Sequence, residues 1–148
     1  MNNRRIETAM GTFLSIALCS VTASAAAKSE IKGAAILDHA CGKVAVKQVG
    51  YLHSGKFEDA NRLTTKEMQE QWKAMPAKDR AMMQTMAKEM TPTEAQFTAQ
   101  VKASGVLVVD GPAGTLTTKK TIKDKNGTAT ETTTQDFKIN GSECLITR

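Results

Sequence analysis

Apolar residues recur every three or four positions in the first half of this 148-residue chain and every second position in its last third, and the change falls near Pro92. The first pattern predicts helices and the second predicts strands. From about Asp38 to Ser54, Cys41, Val44, Ala45, Gln48, Val49 and Leu52 form one stripe of an amphipathic helix. Gly55 suits its C-terminal stop. Lys56 to Leu63 fits a short second helix around Phe57, Ala60 and Leu63. Thr64-Thr65-Lys66-Glu67 matches a capping box, with Thr64 as N-cap and Glu67 reaching back, so a third helix is expected through Met68 and Trp72 to about Ala74. Pro76 suits the first turn of a fourth helix ending near Met90. Thr91-Pro92 then closes the helical half.

Beyond Pro92, Phe97, Ala99, Val101, Ala103, Leu107 and Val109 share one parity. They read as a long strand bent at Ser104-Gly105. Asp110-Gly111-Pro112-Ala113 is a turn. A second strand places Leu116, Thr118, Lys120 and Ile122 on one side. Asn126-Gly127 signals a hairpin. The third strand runs from Thr128 to Ile139, with Phe137 and Ile139 facing one way. Asn140-Gly141 turns into a last strand, Ser142 to Thr147. The expected fold is α+β, with N-terminal helices packed on a bent antiparallel four-stranded meander.

The segment before the first helix has a different character. Arg4 and Arg5 precede an apolar run from Met10 to Val21, followed by Ala23-Ser24-Ala25. Basic start, short apolar middle and small-x-small end are the marks of a secretory signal peptide. The run is too short to span a bilayer, which takes about 20 apolar residues. Residues 1–25 are therefore expected to be a signal peptide and 26–148 a single domain, with cleavage within Ala25-Ala26-Ala27. Leu18 precedes Cys19, where a lipoprotein signal would have a small residue, so Cys19 falls in the discarded segment. The expected location is the periplasm. There Cys41 and Cys144 are best used as a disulfide tying the first helix to the last strand. His39 and Cys41 stand too close to form half of a zinc site with Cys144. No metal site or cofactor motif is present in the sequence.

Without Arg4, Arg5 and Glu7, 20 basic and 15 acidic residues become 18 and 14, a modest surplus. The densest basic stretch holds Lys119, Lys120, Lys123 and Lys125 among Thr and Ile. Nucleic-acid binding calls for a denser basic face with interleaved aromatics, and the whole chain has four Phe, one Tyr and one Trp. An acidic protein partner suits this patch better. No segment after the signal can cross a membrane. Asn126-Gly127-Thr128 and Asn140-Gly141-Ser142 fit the glycosylation pattern, but tight turns require Asn-Gly anyway. The many threonines between Thr115 and Thr134 lack the regular repeat of an ice-binding surface. Six methionines lie between Met68 and Met90. Their spacing predicts core packing against the sheet rather than an adaptable binding surface.

Helix, short helix, further helices and then a meander is an order that resembles the nuclear transport factor 2-like superfamily. The local match is Val44–Leu52 followed by Ser54-Gly55-Lys56-Phe57-Glu58-Asp59-Ala60, and the closing Phe137–Ile146 is similar to the family's final hairpin. There Cys144 takes a place usually held by Trp. The resemblance implies a cone between the first helix and the sheet, lined here by Leu52, Trp72, Phe97, Val101 and Phe137. It also implies pairing of sheet faces, and so a homodimer. Enzymes of that superfamily place an Asp–His or Tyr–Asp pair in the cone. The candidates are Asp38, His39, Tyr51, His53 and Asp59. Asp38 and His39 are adjacent and point to different helix faces, and His53 suits a helix C-terminus. No catalytic pair emerges.

The expected function is a non-catalytic periplasmic binding protein that acts through a protein partner, such as an inhibitor or immunity protein against a toxin or hydrolase. The alternative is small-ligand binding in the cone. A dehydratase- or isomerase-type enzyme is the third reading.

Overall fold

The helical half is arranged around its first long helix, which packs against three of the helices that follow it and against the last strand. In the computed structural model, which describes residues 27–125 and 127–148, helix α1 (Ala40–His53) buries Cys41, Ala45 and Val49 and half-buries Val44, Gln48 and Leu52. That is the stripe read from the sequence. The His39 side chain caps this helix, its Nδ1 accepting from Cys41 N–H at 3.2 Å. Gly55 ends it with φ at +76°. Helix α2 (Phe57–Asn61) and helix α3 (Lys66–Ala74) follow. The expected capping box does not form: Thr65 rather than Thr64 is the N-cap of α3, and its side chain makes no cap hydrogen bond. Thr64 instead turns its hydroxyl onto Asn61 O at 2.6 Å and bridges to Ile146 of the last strand.

Helix α4 (Ala77–Met90) corrects the methionine reading. Its half-buried residues are Arg80, Gln84 and Ala87, and it packs against α1. At 100° per residue these three occupy the side opposite Met82 and Met86. Met82, Met83, Met86 and Met90 are 58, 46, 50 and 77 % exposed. Both faces of this helix have helical spacing, so periodicity alone does not choose between them.

The expected strand through Phe97 is a helix, α5 (Glu94–Ser104). It buries Phe97 and Val101, four residues apart, while Ala99 and Ala103 on the same parity are exposed. Its start is fixed by a capping box. Thr93 Oγ1 accepts from Gln96 N–H at 3.2 Å, and Gln96 Oε1 accepts from Thr93 N–H at 2.9 Å. Thr93-Glu94-Ala95-Gln96 is the signature of that motif.

The sheet has five antiparallel strands rather than four, in chain order: β1 (Ser29–Lys32), β2 (Val106–Asp110), β3 (Ala113–Asp124), β4 (Gly127–Asn140) and β5 (Glu143–Ile146). Strand β1 adds to the edge through Ile31 opposite Leu107. Ser-Glu-Ile-Lys holds one apolar residue, too little to signal a strand. Asn126 of the expected β3–β4 turn and the whole of the expected signal segment 1–25 lie outside the described residues. A 3-10 turn, Gly33–Asp38, leads from β1 to α1 and buries Ile36 completely.

Leu107, Leu116, Phe137 and Ile146 project from one sheet face and meet Ile36, Ala45, Val49, Phe97 and Val101 from the helical side. Cys41 and Cys144 are bridged, with Cα atoms 5.1 Å apart, and both are buried. The disulfide ties the first turn of α1 to β5 inside this core.

Candidate functional site

Strands β3 and β4 outrun their neighbours. Pairing of β2 with β3 ends at Val106 opposite Thr117, and pairing of β4 with β5 ends at Phe137 opposite Ile146. The β4 edge gains one more rung, where Thr147 N–H donates to Asp136 O at 2.9 Å and Asp136 N–H donates to Arg148 O at 3.0 Å. Beyond these points, β3 and β4 pair only with each other, out to Asp124 opposite Gly127. The result is a two-stranded ribbon projecting from the five-stranded sheet.

Its two faces differ. One carries Lys119, Thr121, Lys123, Thr128, Thr130, Thr132 and Thr134. The other carries Thr118, Lys120, Glu131 and Thr133, with Lys120 directly opposite Glu131. Strand alternation forces this separation. The four lysines singled out in the sequence, Lys119, Lys120, Lys123 and Lys125, all fall on β3 or its turn and all are exposed. They divide between both ribbon faces and the tip.

The second face looks back at the helices across a groove of about 810 Å³. Leu52 of α1, Phe97 of α5 and Leu116 of β3 supply its apolar floor, and Met90 and Pro92 its rim. Gln48, Gln96, Gln100 and Gln135 supply amides. Gln135 Nε2 donates to Gln48 Oε1 at 2.6 Å, and Gln100 Nε2 donates to Thr118 Oγ1 at 3.0 Å. Two cross-links therefore hold ribbon to helices while leaving the groove open between them. Of the five residues expected to line a pocket, Leu52 and Phe97 do so. Val101 and Phe137 are buried in the core beneath it, and Trp72 is half-buried on α3, away from the groove. Gln48 falls in the α1 stripe read from the sequence, while Gln96, Gln100 and Gln135 carry no periodic or charge signal that marks them as groove residues.

The acid–base candidates are dispersed. His39 caps α1. His53 Nδ1 lies 3.0 Å from Thr91 O. Asp59 pairs with Arg62 at 3.4 Å. Tyr51 lines a separate open cleft of about 790 Å³ with Lys43, Lys47, Lys56 and Glu94. Asp38 is exposed at the end of the 3-10 turn. Among the described residues, no three of His, Cys, Asp and Glu gather into a metal-binding group, and no helix is long and apolar enough to cross a membrane.

Among the described residues, two charged groups are shifted, both outside the groove. A hydrogen bond and the charge of Glu30, 2.7 Å away, hold the Lys32 ammonium above its usual range. Glu67 is held below the usual carboxylate range by its own backbone N–H and then by the Thr65 hydroxyl, with Lys138 and Lys66 adding attraction.

Comparison of the chain with protein-family models, with curated proteins and with solved structures finds no match.

Proposed function

We propose that this chain is a non-catalytic binding protein of the periplasm that engages an acidic protein partner through the β3–β4 ribbon. The observation that carries this reading is the open strand edge. Asp136 of β4 turns its N–H and C=O outward to the chain end. By strand alternation, Thr134, Thr132, Thr130 and Thr128 turn theirs to the same side, where no other strand pairs with them. An extended segment of a partner can add there as a further strand. The ribbon lysines supply attraction for acidic side chains and steer encounter. The buried disulfide is compatible with an exported protein. The helix-then-meander order supports the nuclear transport factor 2-like resemblance, within which the groove would stand for the cone. An inhibitor or immunity role is the concrete form of this reading.

The test uses co-purification from periplasmic extract, with Thr132→Pro as the control. Thr132 N–H faces the open edge, so proline removes an edge donor without removing a β3–β4 bond. Loss of a stoichiometric partner in that variant, and weakening of the complex by salt, supports the reading. A partner retained equally by Thr132→Pro and by Lys119→Glu/Lys123→Glu sinks it.

A second reading is favoured by the open groove itself. Its volume and its mixture of apolar floor and amides suit a small uncharged ligand. Leu52→Arg would abolish such binding and leave the ribbon edge intact.

A further inference from the structure

Helix α1 carries a basic row beside the start of α5. Lys43 and Lys47 stand one turn apart, about 5–6 Å at Cβ, and Tyr51 follows one turn further. Lys56 returns to the same row after the helix ends. Gly55, with φ at +76°, reverses the chain, and Lys56 N–H donates to Tyr51 O at 2.8 Å. The three lysines and Tyr51 line one open cleft of about 790 Å³, to which the half-buried Leu37 and Val46 add apolar surface.

One carboxylate lines the same cleft. Glu94, the first residue of α5, lies across Gly50 of α1: a Cβ at Gly50 would stand 2.7 Å from Glu94 Oε2 and 3.7 Å from Glu94 Cβ. Glycine inside a helix is otherwise unfavourable, and here it lets the carboxylate come down onto α1. Lys47, three residues before Gly50, shares its face of the helix. Among the described residues, neither Glu94 nor any of Lys43, Lys47 and Lys56 takes part in an ion pair. Three ammonium groups and one carboxylate therefore border a space of small-molecule size without neutralising one another.

Charge complementarity selects the occupant. A simple cation meets a net positive wall, and a plain polyanion meets Glu94. A molecule with two carboxylates and one ammonium satisfies both signs. We propose that the α1–α5 cleft binds a small amphoteric anion of the acidic amino acid class. Its carboxylates pair with Lys43, Lys47 and Lys56, its ammonium with Glu94, and its methylenes lie against Tyr51, Leu37 and Val46. Lysine presents three donors on a flexible stem, so the carboxylates need no fixed fork geometry. From α5 the cleft takes Glu94 and Thr98, whereas the groove takes Gln96, Phe97 and Gln100. The site is therefore independent of the groove, of the ribbon edge and of the partner proposed for it.

The experiment titrates L-glutamate into the full chain with its disulfide closed and follows the backbone amide signals of Lys47, Gly50, Tyr51 and Glu94 by NMR. Glutarate, which lacks the ammonium, and L-glutamine, which lacks the second carboxylate, are titrated alongside. Saturable changes confined to the cleft, tightest for L-glutamate and weakened by salt, are the expected result. Lys43→Gln/Lys47→Gln should weaken L-glutamate by about threefold or more. Glu94→Gln should weaken L-glutamate and tighten glutarate, because the amide neither holds an ammonium nor repels a carboxylate. A merely structural role for Glu94 would not reverse that preference. All three positions are exposed, and an unaltered melting temperature in each variant would show that the fold is kept. No saturable change, equal affinity for the three compounds, or L-glutamate affinity unchanged in either variant would each overturn the site.

Discussion

Ser104 holds both backbone groups of Lys119 with a single hydroxyl. Its Oγ accepts from Lys119 N–H at 2.9 Å and donates to Lys119 O at 2.8 Å. Here the last residue of α5 takes the place that a further β2 residue would have filled. It ends the β2–β3 pairing and anchors the root of the ribbon to the helical layer. Ser104→Ala leaves both groups without this partner and should cost about 1 kcal/mol. Amide exchange at Lys119 should accelerate strongly while the core strands keep their protection. Unchanged exchange at Lys119 would show that the hydroxyl anchors nothing.

Gly42 lies inside α1, where glycine is otherwise unfavourable. A Cβ placed there would overlap the carbonyl oxygen of Ile36, which is backbone and completely buried. The close approach of the 3-10 turn to α1 therefore demands glycine. Gly42→Ala should lose about 3 kcal/mol by denaturant titration. A loss below about 0.5 kcal/mol, the usual range of surface changes, would contradict the packing described.

The Cys41–Cys144 bridge closes a loop across a sequence separation of 103. Replacing both cysteines by alanine should lower stability by roughly 2–5 kcal/mol. The effect should appear as a fall in melting temperature. Reduction of the native chain should give a fall in the same direction.

Glu67 should titrate below the usual glutamate range, since its own N–H and the Thr65 hydroxyl favour the charged form. Its contribution to stability is present above the unfolded-state value and is lost as pH falls through the lower folded-state value. Carboxyl NMR titration measures the midpoint. Thr65→Val should move it upward.

Peroxide should convert Met82, Met86 and Met90 to sulfoxides before the half-buried Met68 and Met75, with little change in melting temperature. Early oxidation of Met68, or unfolding after the first two additions, would place the α4 stripe in the core after all.

Legibility from sequence followed the strength of local physics. The α1 stripe was plain because its buried face is apolar and its exposed face is not. The β3–β4–β5 run was plain because Asn-Gly turns and alternation agree. Residues 97–104 were misread because Phe97, Ala99, Val101 and Ala103 satisfy a period of two, while burial uses only Phe97 and Val101 at a spacing of four. The capping signature Thr93-Glu94-Ala95-Gln96 is the local signal in the sequence that marks a helix start there. The α4 methionines were misplaced for a related reason. Arg80 and Gln84 are half-buried while the α4 methionines face solvent, a choice made by tertiary packing against any hydrophobicity rule. Within the groove, Leu52 and Phe97 could be named in advance, while Gln100 and Gln135, which bridge ribbon and helices, could not.

All five helices are inserted between two strands that lie side by side. Ile31 of β1 waits for Leu107, and Cys41 waits for Cys144. A chain delivered from its N-terminus onward thus has its first strand and its first cysteine present long before either can find its mate. Contacts so distant in sequence make for slow closure. The first strand stays unpaired until β2 has been made, and the Cys41 thiol stays free for longer still, until Cys144 has been made. The order of synthesis, rather than the finished architecture, sets the interval in which this protein is most open to mispairing.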